Sequence, residues 1–94
     1  MLQELFTIIQ ERRDNPQAGS YTAMLLAAGE DEILKKVGEE SVEVILAAKS
    51  QGDRRVIEEM ADLFYHALVL LATRGLTLKQ VEGELRMRHL QKQN

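Results

Sequence analysis

The segment from residue 54 to 73 constrains the fold more than any other part of the sequence. Its apolar side chains surround the predicted helix instead of forming one stripe. They are Val56, Ile57, Met60, Leu63, Phe64, Ala67, Leu68, Val69, Leu70 and Leu71. A helix that is apolar on nearly all sides must be buried on nearly all sides, and four other short helices cannot easily enclose it. We therefore expect a second subunit to cover part of this helix.

The rest of the chain also has helical periodicity, and no segment alternates β-branched with polar residues as a strand would. We predict an all-α subunit of five helices, with a single domain over residues 1–94 and a frayed tail from about residue 90. The predicted helices run to about Arg13, from Ser20 as N-cap to Ala28, from Glu30 or Asp31 to about Lys49, from Arg54 to about Thr73, and from Thr77 to about His89. Asp53 is the predicted N-cap of the fourth helix, and Thr77 with Gln80 is a predicted capping box.

Acidic residues are concentrated on the two longest predicted helices. The third helix carries Glu39, Glu40 and Glu43, and the fourth carries Glu59 and Asp62. Residues three or four apart are neighbours on a helix, so each group forms one acidic patch. Apolar positions flank both patches, and in a partly buried patch the repulsion between like charges is costly because each charge also loses water. Such a convergence of carboxylates requires a cation.

The available ligands favour a hard divalent cation. The chain has no cysteine and no closely spaced histidine pair, whereas carboxylate oxygens suit Mg²⁺ or Mn²⁺ better than zinc. Mg²⁺ usually keeps several waters and bridges to substrate phosphates, so a phosphate-containing substrate is indicated. Lys36 lies on the same face, one turn before Glu40, where it could meet a phosphate oxygen. His66 lies one turn beyond Asp62, and a structural hydrogen bond to that residue is its expected role.

A solvated acidic surface is the ordinary alternative to a metal site. Glu39 could pair with Lys35, and Glu59 with Arg55, at the i, i+4 spacing of surface ion pairs. One acidic patch alone would favour this interpretation. Two patches on neighbouring helices, each inside an otherwise apolar helix, favour the metal site.

Composition argues against several other classes of protein. The net charge of −3 gives no support for a nucleic-acid binder held by bulk electrostatics. The longest nearly apolar run, residues 63–72, is too short for a bilayer, which needs about 20 residues, and the N-terminus is unlike a signal peptide. We expect a cytoplasmic protein that binds a small molecule and neither nucleic acid nor a membrane.

The acidic motif also resembles a known superfamily. Glu39-Glu40-x-x-Glu43 followed by Glu59-x-x-Asp62 is similar to the signature of the MazG-like all-α nucleotide pyrophosphohydrolases. A longer similarity points to the phosphoribosyl-ATP pyrophosphatase family of histidine biosynthesis. Its blocks are Ser20-Tyr21-Thr22-Ala23, Lys35-Lys36-Val37-Gly38-Glu39-Glu40, Ala61-Asp62-Leu63, Tyr65-His66 and Arg74-Gly75-Leu76.

The resemblance implies Mg²⁺-dependent hydrolysis of phosphoribosyl-ATP to phosphoribosyl-AMP and pyrophosphate, the second step of histidine biosynthesis. It implies a cytoplasmic homodimer whose paired central helices form a four-helix-bundle-like core. It also implies the stand-alone form. The cyclohydrolase domain that is fused to many relatives binds zinc through cysteines, and this chain has none.

The resemblance further implies roles for individual residues. The implied metal ligands are Glu40, Glu43, Glu59 and Asp62. Glu39 is implied as the catalytic base that orients the attacking water, or as a further ligand through water. Lys36 is implied as a phosphate-binding residue. The remaining candidate substrate-binding residues are Tyr21, Thr22 and Lys35.

Two other functions remain open at this point. A house-cleaning nucleoside triphosphate pyrophosphohydrolase would carry the same acidic motif. A non-catalytic helical dimerisation module would explain the apolar helices equally well. It would not explain why nearly every polar position on the two central stripes is acidic.

Overall fold

A computed structural model describes residues 1–90, so the predicted frayed tail from 91 to 94 lies outside the described residues. Within residues 1–90 the chain forms five helices and no strand, which confirms the predicted all-α class. The helices are α1 (Leu2–Asp14), α2 (Tyr21–Ala28), α3 (Glu30–Ser50), α4 (Asp53–Thr73) and α5 (Leu78–His89). In the same part of the chain, every helix is too short or too polar to cross a bilayer.

The helix ends follow local capping signals, with one correction. Ser20 caps α2 by accepting a hydrogen bond from the main-chain N–H of Ala23 at 3.1 Å. Thr77 and Gln80 form the predicted capping box of α5. The prediction of Asp53 as N-cap is wrong, because Gly52 occupies that position and no side chain caps α4. Gly52 has a φ of 90°, which glycine adopts without steric cost, so the turn ends there and Asp53 enters the first helical turn.

The hydrophobic core lies where α1, α2, α3 and the first residue of α5 pack around α4. Its buried members are Phe6, Ile9, Leu25, Ile33, Leu68, Val69, Ala72 and Leu78. Each large side chain buried there stabilises the fold by about 1.5–3 kcal/mol. The most extensive interface joins α3 and α4, which are connected through residues 51–52 and therefore form an antiparallel hairpin.

Polar contacts fix the C-terminal half of α4. The guanidinium of Arg13, at the end of α1, donates to the carbonyl of Ala72 at 2.8 Å. Arg74 donates to the Glu30 carboxylate at the start of α3 at 3.0 Å. With this end of α4 held by its neighbours, the N-terminal half of the helix lies alongside α3, where the acidic residues of both helices are found.

One side of α4 is left uncovered by the other helices within residues 1–90. Ile57 is 60% exposed and Phe64 is 48% exposed, and Ala61 between them is also exposed. We call Ile57, Ala61 and Phe64 the outer face of α4. Such large apolar side chains are normally buried when they line up on one helix face. The nearly complete burial predicted for this helix is thus not reached within residues 1–90.

Candidate metal and active site

Three predicted metal ligands meet between α3 and α4. Glu40 on α3 and Glu59 and Asp62 on α4 each offer a carboxylate oxygen, and these oxygens lie within 4.8 Å of one another. The antiparallel hairpin explains the meeting, because residues at similar distances from its loop come level on the two helices. We call these three residues the carboxylate cluster.

The members of the carboxylate cluster differ in burial and in partners. Glu59 is only 6% exposed, and its carboxylate accepts a hydrogen bond from the Arg55 guanidinium at 2.7 Å. The i, i+4 ion pair expected for a solvated acidic surface is therefore present, but the same Glu59 carboxylate also belongs to the cluster. Within the described residues, Glu40 and Asp62 form no ion pair. The cluster thus contains more negative charge than its one basic partner neutralises.

The pKa of Glu40 depends on its burial and on the neighbouring charges. Burial raises the pKa of the Glu40 carboxyl above its ordinary value, because a charge there loses water. The negative charges of Asp62 and Glu59 raise that pKa further, whereas His66 and Lys36 act in the opposite direction. The rise outweighs the opposing effects, so the ionised cluster carries an electrostatic cost that a bound cation would remove.

The other predicted residues of α3 lie around the cluster. Glu43 is half-buried one turn further along α3 and is not one of the three carboxylates that meet. Glu39 is exposed, and the Lys36 ammonium lies 3.7 Å from its carboxylate. Lys36 thus takes the place of Lys35, the partner suggested for Glu39 by spacing alone. Lys35 itself is exposed.

The two candidate substrate-binding residues of α2 contact α4. The Tyr21 hydroxyl lies 3.3 Å from Nε2 of His66. The Thr22 hydroxyl forms a hydrogen bond with the Tyr65 hydroxyl. Burial raises the pKa of Tyr65, and the Thr22 hydrogen bond partly offsets that rise. Neither contact between α2 and α4 was predictable from the sequence, because no spacing rule relates side chains more than 40 positions apart.

His66 lies next to the cluster and is almost fully buried. Its Nδ1 atom lies 2.8 Å from the main-chain carbonyl of Asp62. The expected hydrogen bond from His66 to Asp62 is therefore present, although it uses the main chain. The Asp62 carboxylate stays available to the cluster.

The donor set suits a hard divalent cation. Three carboxylates supply oxygen ligands, one of them is deeply buried, and among the described residues only that one forms an ion pair. Carboxylates on two rigid helices hold their positions better than ligands on loops would. The arrangement can therefore bind a metal ion that in turn binds an anionic substrate.

Comparison with known proteins identifies the family. The sequence model of the phosphoribosyl-ATP pyrophosphohydrolase family matches residues 2–89. The chain belongs to this family. A phosphoribosyl-ATP pyrophosphatase of Lactiplantibacillus plantarum is 52% identical over 87 residues, which are 93% of this chain and 82% of that protein. One of Pelotomaculum thermopropionicum is 49% identical over 92 residues, covering 98% of this chain and 94% of that protein.

A longer relative aligns with this chain over only part of its own length. It is a histidine biosynthesis bifunctional protein of Oceanobacillus iheyensis, 45% identical over 85 residues. The alignment covers 90% of this chain and 40% of that protein. The family predicted from the resemblance is thereby confirmed, whereas the roles of individual residues stay predictions.

Proposed function

We propose that this chain hydrolyses phosphoribosyl-ATP to phosphoribosyl-AMP and pyrophosphate, the second step of histidine biosynthesis. The observation that carries the proposal is the meeting of Glu40, Glu59 and Asp62 between two helices, in a chain that belongs to the phosphoribosyl-ATP pyrophosphohydrolase family. Hydrolysis of a phosphoric anhydride needs charge neutralisation and alignment, and no covalent chemistry from the protein. A cluster of carboxylates that binds a metal suits that requirement.

Glu40, Glu59 and Asp62 would hold Mg²⁺, or Mn²⁺ in its place, and Glu43 would add a ligand from the next turn of α3. When bound, such an ion neutralises charge on the polyphosphate and lowers the pKa of a coordinated water. The donor chemistry supports this assignment, because hard carboxylate oxygens match both ions. Arg55 holds the buried carboxylate of Glu59 in place at 2.7 Å.

Lys36 and Glu39 supply the remaining groups in this proposal. Lys36 binds a phosphate oxygen of the substrate, and its half-buried position one turn before Glu40 on α3 supports that role. Glu39 is the base that orients the attacking water. Its ion pair with Lys36 at 3.7 Å keeps both side chains near each other before substrate arrives. When the substrate binds, this ion pair would break, so that Lys36 contacts the phosphate and Glu39 contacts the water.

We further propose that the enzyme is a cytoplasmic homodimer. The exposed outer face of α4 supports a second copy of the chain as its cover. The half-exposed Val42, Ile45 and Leu46 on α3 add to the apolar surface available for pairing. A four-helix-bundle-like core from the α3–α4 hairpins of two subunits would bury these side chains.

A substrate panel tests the proposed reaction. Purified protein with Mg²⁺ is assayed on phosphoribosyl-ATP and, side by side, on ATP and other nucleoside triphosphates, with pyrophosphate release measured for each. We expect kcat/KM for phosphoribosyl-ATP to exceed every other value by at least about a hundredfold, a difference of about 2.7 kcal/mol. An Asp62→Asn variant serves as the control for contaminating hydrolases and is expected to be inactive on all substrates.

Two results would contradict the proposal. Comparable or higher kcat/KM on an ordinary or damaged nucleoside triphosphate would assign the chain to house-cleaning chemistry. Absence of hydrolysis of any nucleotide, by protein that is folded and loaded with Mg²⁺, would favour the non-catalytic dimerisation module.

A further inference from the structure

The first turn of α2 is attached to α4 by two adjacent side-chain contacts. Tyr21 contacts His66, and Thr22 contacts Tyr65, the neighbouring residue on α4. Ser20 caps the same turn, so the main chain at this point is also held. The contacts lie one helical turn beyond Asp62, next to the carboxylate cluster. The start of α2 is therefore fixed beside the candidate active site.

His66 uses both ring nitrogens in this attachment. The Asp62 carbonyl can only accept a hydrogen bond, so Nδ1 of His66, at 2.8 Å, must carry the hydrogen. Nε2, on the other edge of the ring, faces the Tyr21 hydroxyl at 3.3 Å. A hydroxyl can donate or accept, so this contact forms with either protonation state of the ring. With only 5% of its surface exposed, His66 has its ring orientation set by these two partners.

Tyr21 is held differently from a tyrosine of the core. Its hydroxyl is bound to a buried histidine, yet 45% of its surface is exposed. Its ring lies edge-on to His66 and tilted against Tyr65, with centroids 6.2 Å and 6.3 Å away. A side chain that only filled a core would be expected to bury the ring. Here the hydroxyl is fixed on His66, one helical turn beyond Asp62, while nearly half of the residue stays exposed. An aromatic ring so placed offers a surface on which a nucleotide base or ribose can pack.

We propose that His66 is a positioning residue that holds Tyr21 as one wall of the substrate site, so that the Tyr21 ring contacts the base or ribose of the nucleotide. This inference rests on the proposed function. It predicts that loss of the Tyr21–His66 contact weakens substrate binding more than it slows the chemical step. The reason is that the carboxylates that act on the phosphates are left unchanged.

Three variants test separately the two contacts of the His66 ring, one with the Asp62 carbonyl and one with the Tyr21 hydroxyl. Tyr21→Phe keeps the aromatic ring and removes the hydroxyl. His66→Asn can keep the donor to the Asp62 carbonyl but is too short to reach Tyr21. His66→Gln is long enough for its amide to replace Nε2 in the contact with Tyr21. His89→Asn, which changes the other histidine of the chain on α5, is the matched control and is expected to leave kcat and KM unchanged.

Hydrolysis of phosphoribosyl-ATP by each variant gives the kinetic test. We expect Tyr21→Phe and His66→Asn each to raise KM by about threefold to tenfold, the effect of one hydrogen bond, with kcat within about twofold of wild type. The double variant should raise KM no further than either single variant, because both remove the same contact. His66→Gln should restore a KM close to that of wild type.

A second readout does not depend on activity. In ¹⁵N NMR spectra, the Nε2 resonance of His66 should shift in Tyr21→Phe, while the resonances of His89 stay in place. Melting temperatures of all variants show whether each is folded at the assay temperature. If His66→Asn fails to fold, the conservative Tyr21→Phe variant still decides the question.

The outcomes distinguish this inference from the proposed function. If wild type hydrolyses phosphoribosyl-ATP but Tyr21→Phe has a wild-type KM, the positioning role is wrong and the contact merely stabilises the fold. Additive effects of Tyr21→Phe and His66→Asn on KM would likewise overturn it. If folded wild type does not hydrolyse phosphoribosyl-ATP, the proposed function is wrong and this inference falls with it.

Discussion

On its inner side α4 buries charged and polar groups beside its core residues, whereas on its outer face it exposes large apolar ones. Glu59 and His66 are the buried polar residues, and each has hydrogen-bond partners within the chain. Ile57 and Phe64 on the outer face remain about half exposed or more. A helix in an ordinary globular domain would show the reverse arrangement.

The difference shows what each side of α4 lacks. The inner side has polar partners but also an excess of negative charge. Burial first, and then the charges of Asp62 and Glu59, raise the pKa of Glu40 there. A bound cation would relieve that excess without disturbing the packing. The outer face has no charge to satisfy and lacks only an apolar surface to pack against. The proposed metal ion and the proposed second subunit would thus act on opposite sides of α4, and they can be tested separately.

The largest effect on activity is expected from a change on the inner side of α4. Glu59→Gln preserves the shape of the side chain and an acceptor for Arg55 but removes one charge from the carboxylate cluster. We expect the rate of pyrophosphate release to fall by about a hundredfold to a thousandfold, the usual cost of losing a group that stabilises transition-state charge. The rate is measured at saturating Mg²⁺ and phosphoribosyl-ATP. Glu11→Gln, an equivalent change at an exposed residue of α1, should have no effect, and an unchanged rate in Glu59→Gln would remove Glu59 from the site.

Addition of Mg²⁺ should stabilise the fold through the inner side. At a free Mg²⁺ concentration a hundredfold above its Kd, we expect the free energy of unfolding to rise by about 2.7 kcal/mol, because the ion binds the folded state. Thermal melts with Mg²⁺ and with a monovalent salt of equal ionic strength measure the difference. Asp62→Asn should show a much smaller response. An equal response in that variant would mean that the ion binds elsewhere.

The outer face should control association and leave metal binding intact. Phe64→Ala removes its largest side chain, and we expect a loss of about 2 kcal/mol of dimerisation free energy, as for a central aromatic residue of an interface. Sedimentation equilibrium of wild type and variant measures the change in Kd. Ile8→Ala removes a comparably exposed apolar side chain on α1 and is the control. A dimer of unchanged affinity in Phe64→Ala would place the subunit interface on another surface.

The smallest expected effect is on the way in which the stability of the metal-free protein depends on pH. The pKa of Glu40 is raised in the folded state, so its protonated form is the one that the fold favours. The resulting stabilisation is fully present below the ordinary carboxyl pKa of 4.5 and is lost as the pH rises through the raised value. We therefore expect Glu40→Gln to match wild type at low pH and to melt at a higher temperature near neutral pH.

The comparison of Glu40→Gln with wild type also separates the contribution of Glu40 to the pH dependence of stability from the contributions of other carboxyls. Arg55 and Arg54 lower the pKa of the exposed Glu58, which gives the opposite pH trend, but both proteins share that contribution. Saturating Mg²⁺ should reverse the order of the two melting temperatures near neutral pH. Identical pH profiles in the absence of metal would show that Glu40 is not under electrostatic strain.

Much of the fold was predictable because its signals are local. Ser20 and the Thr77–Gln80 pair mark helix starts through bonds to main-chain groups three residues away, and these bonds form as predicted. The error at Asp53 has a local cause too. A glycine with positive φ precedes it and takes over the N-cap position.

The candidate site was predictable only in part. Helical spacing was enough to group Glu39, Glu40 and Glu43 on one helix and Glu59 with Asp62 on another. It could not decide which of the three α3 glutamates reaches α4, because that depends on the rotation of one helix against the other. The structure brings Glu40 into the cluster, with Glu43 one turn away and Glu39 turned toward Lys36.

The amino-acid sequence alone determined the helices, the acidic character of their polar stripes and the family to which the chain belongs. Each of these depends on residues close together in the chain or on similarity along it. Tertiary structure alone decided that Glu40, Glu59 and Asp62 meet while Glu43 lies one turn away, and that Tyr21 meets His66 across 45 positions. These outcomes depend on how the helices pack, and packing is set by the whole core at once.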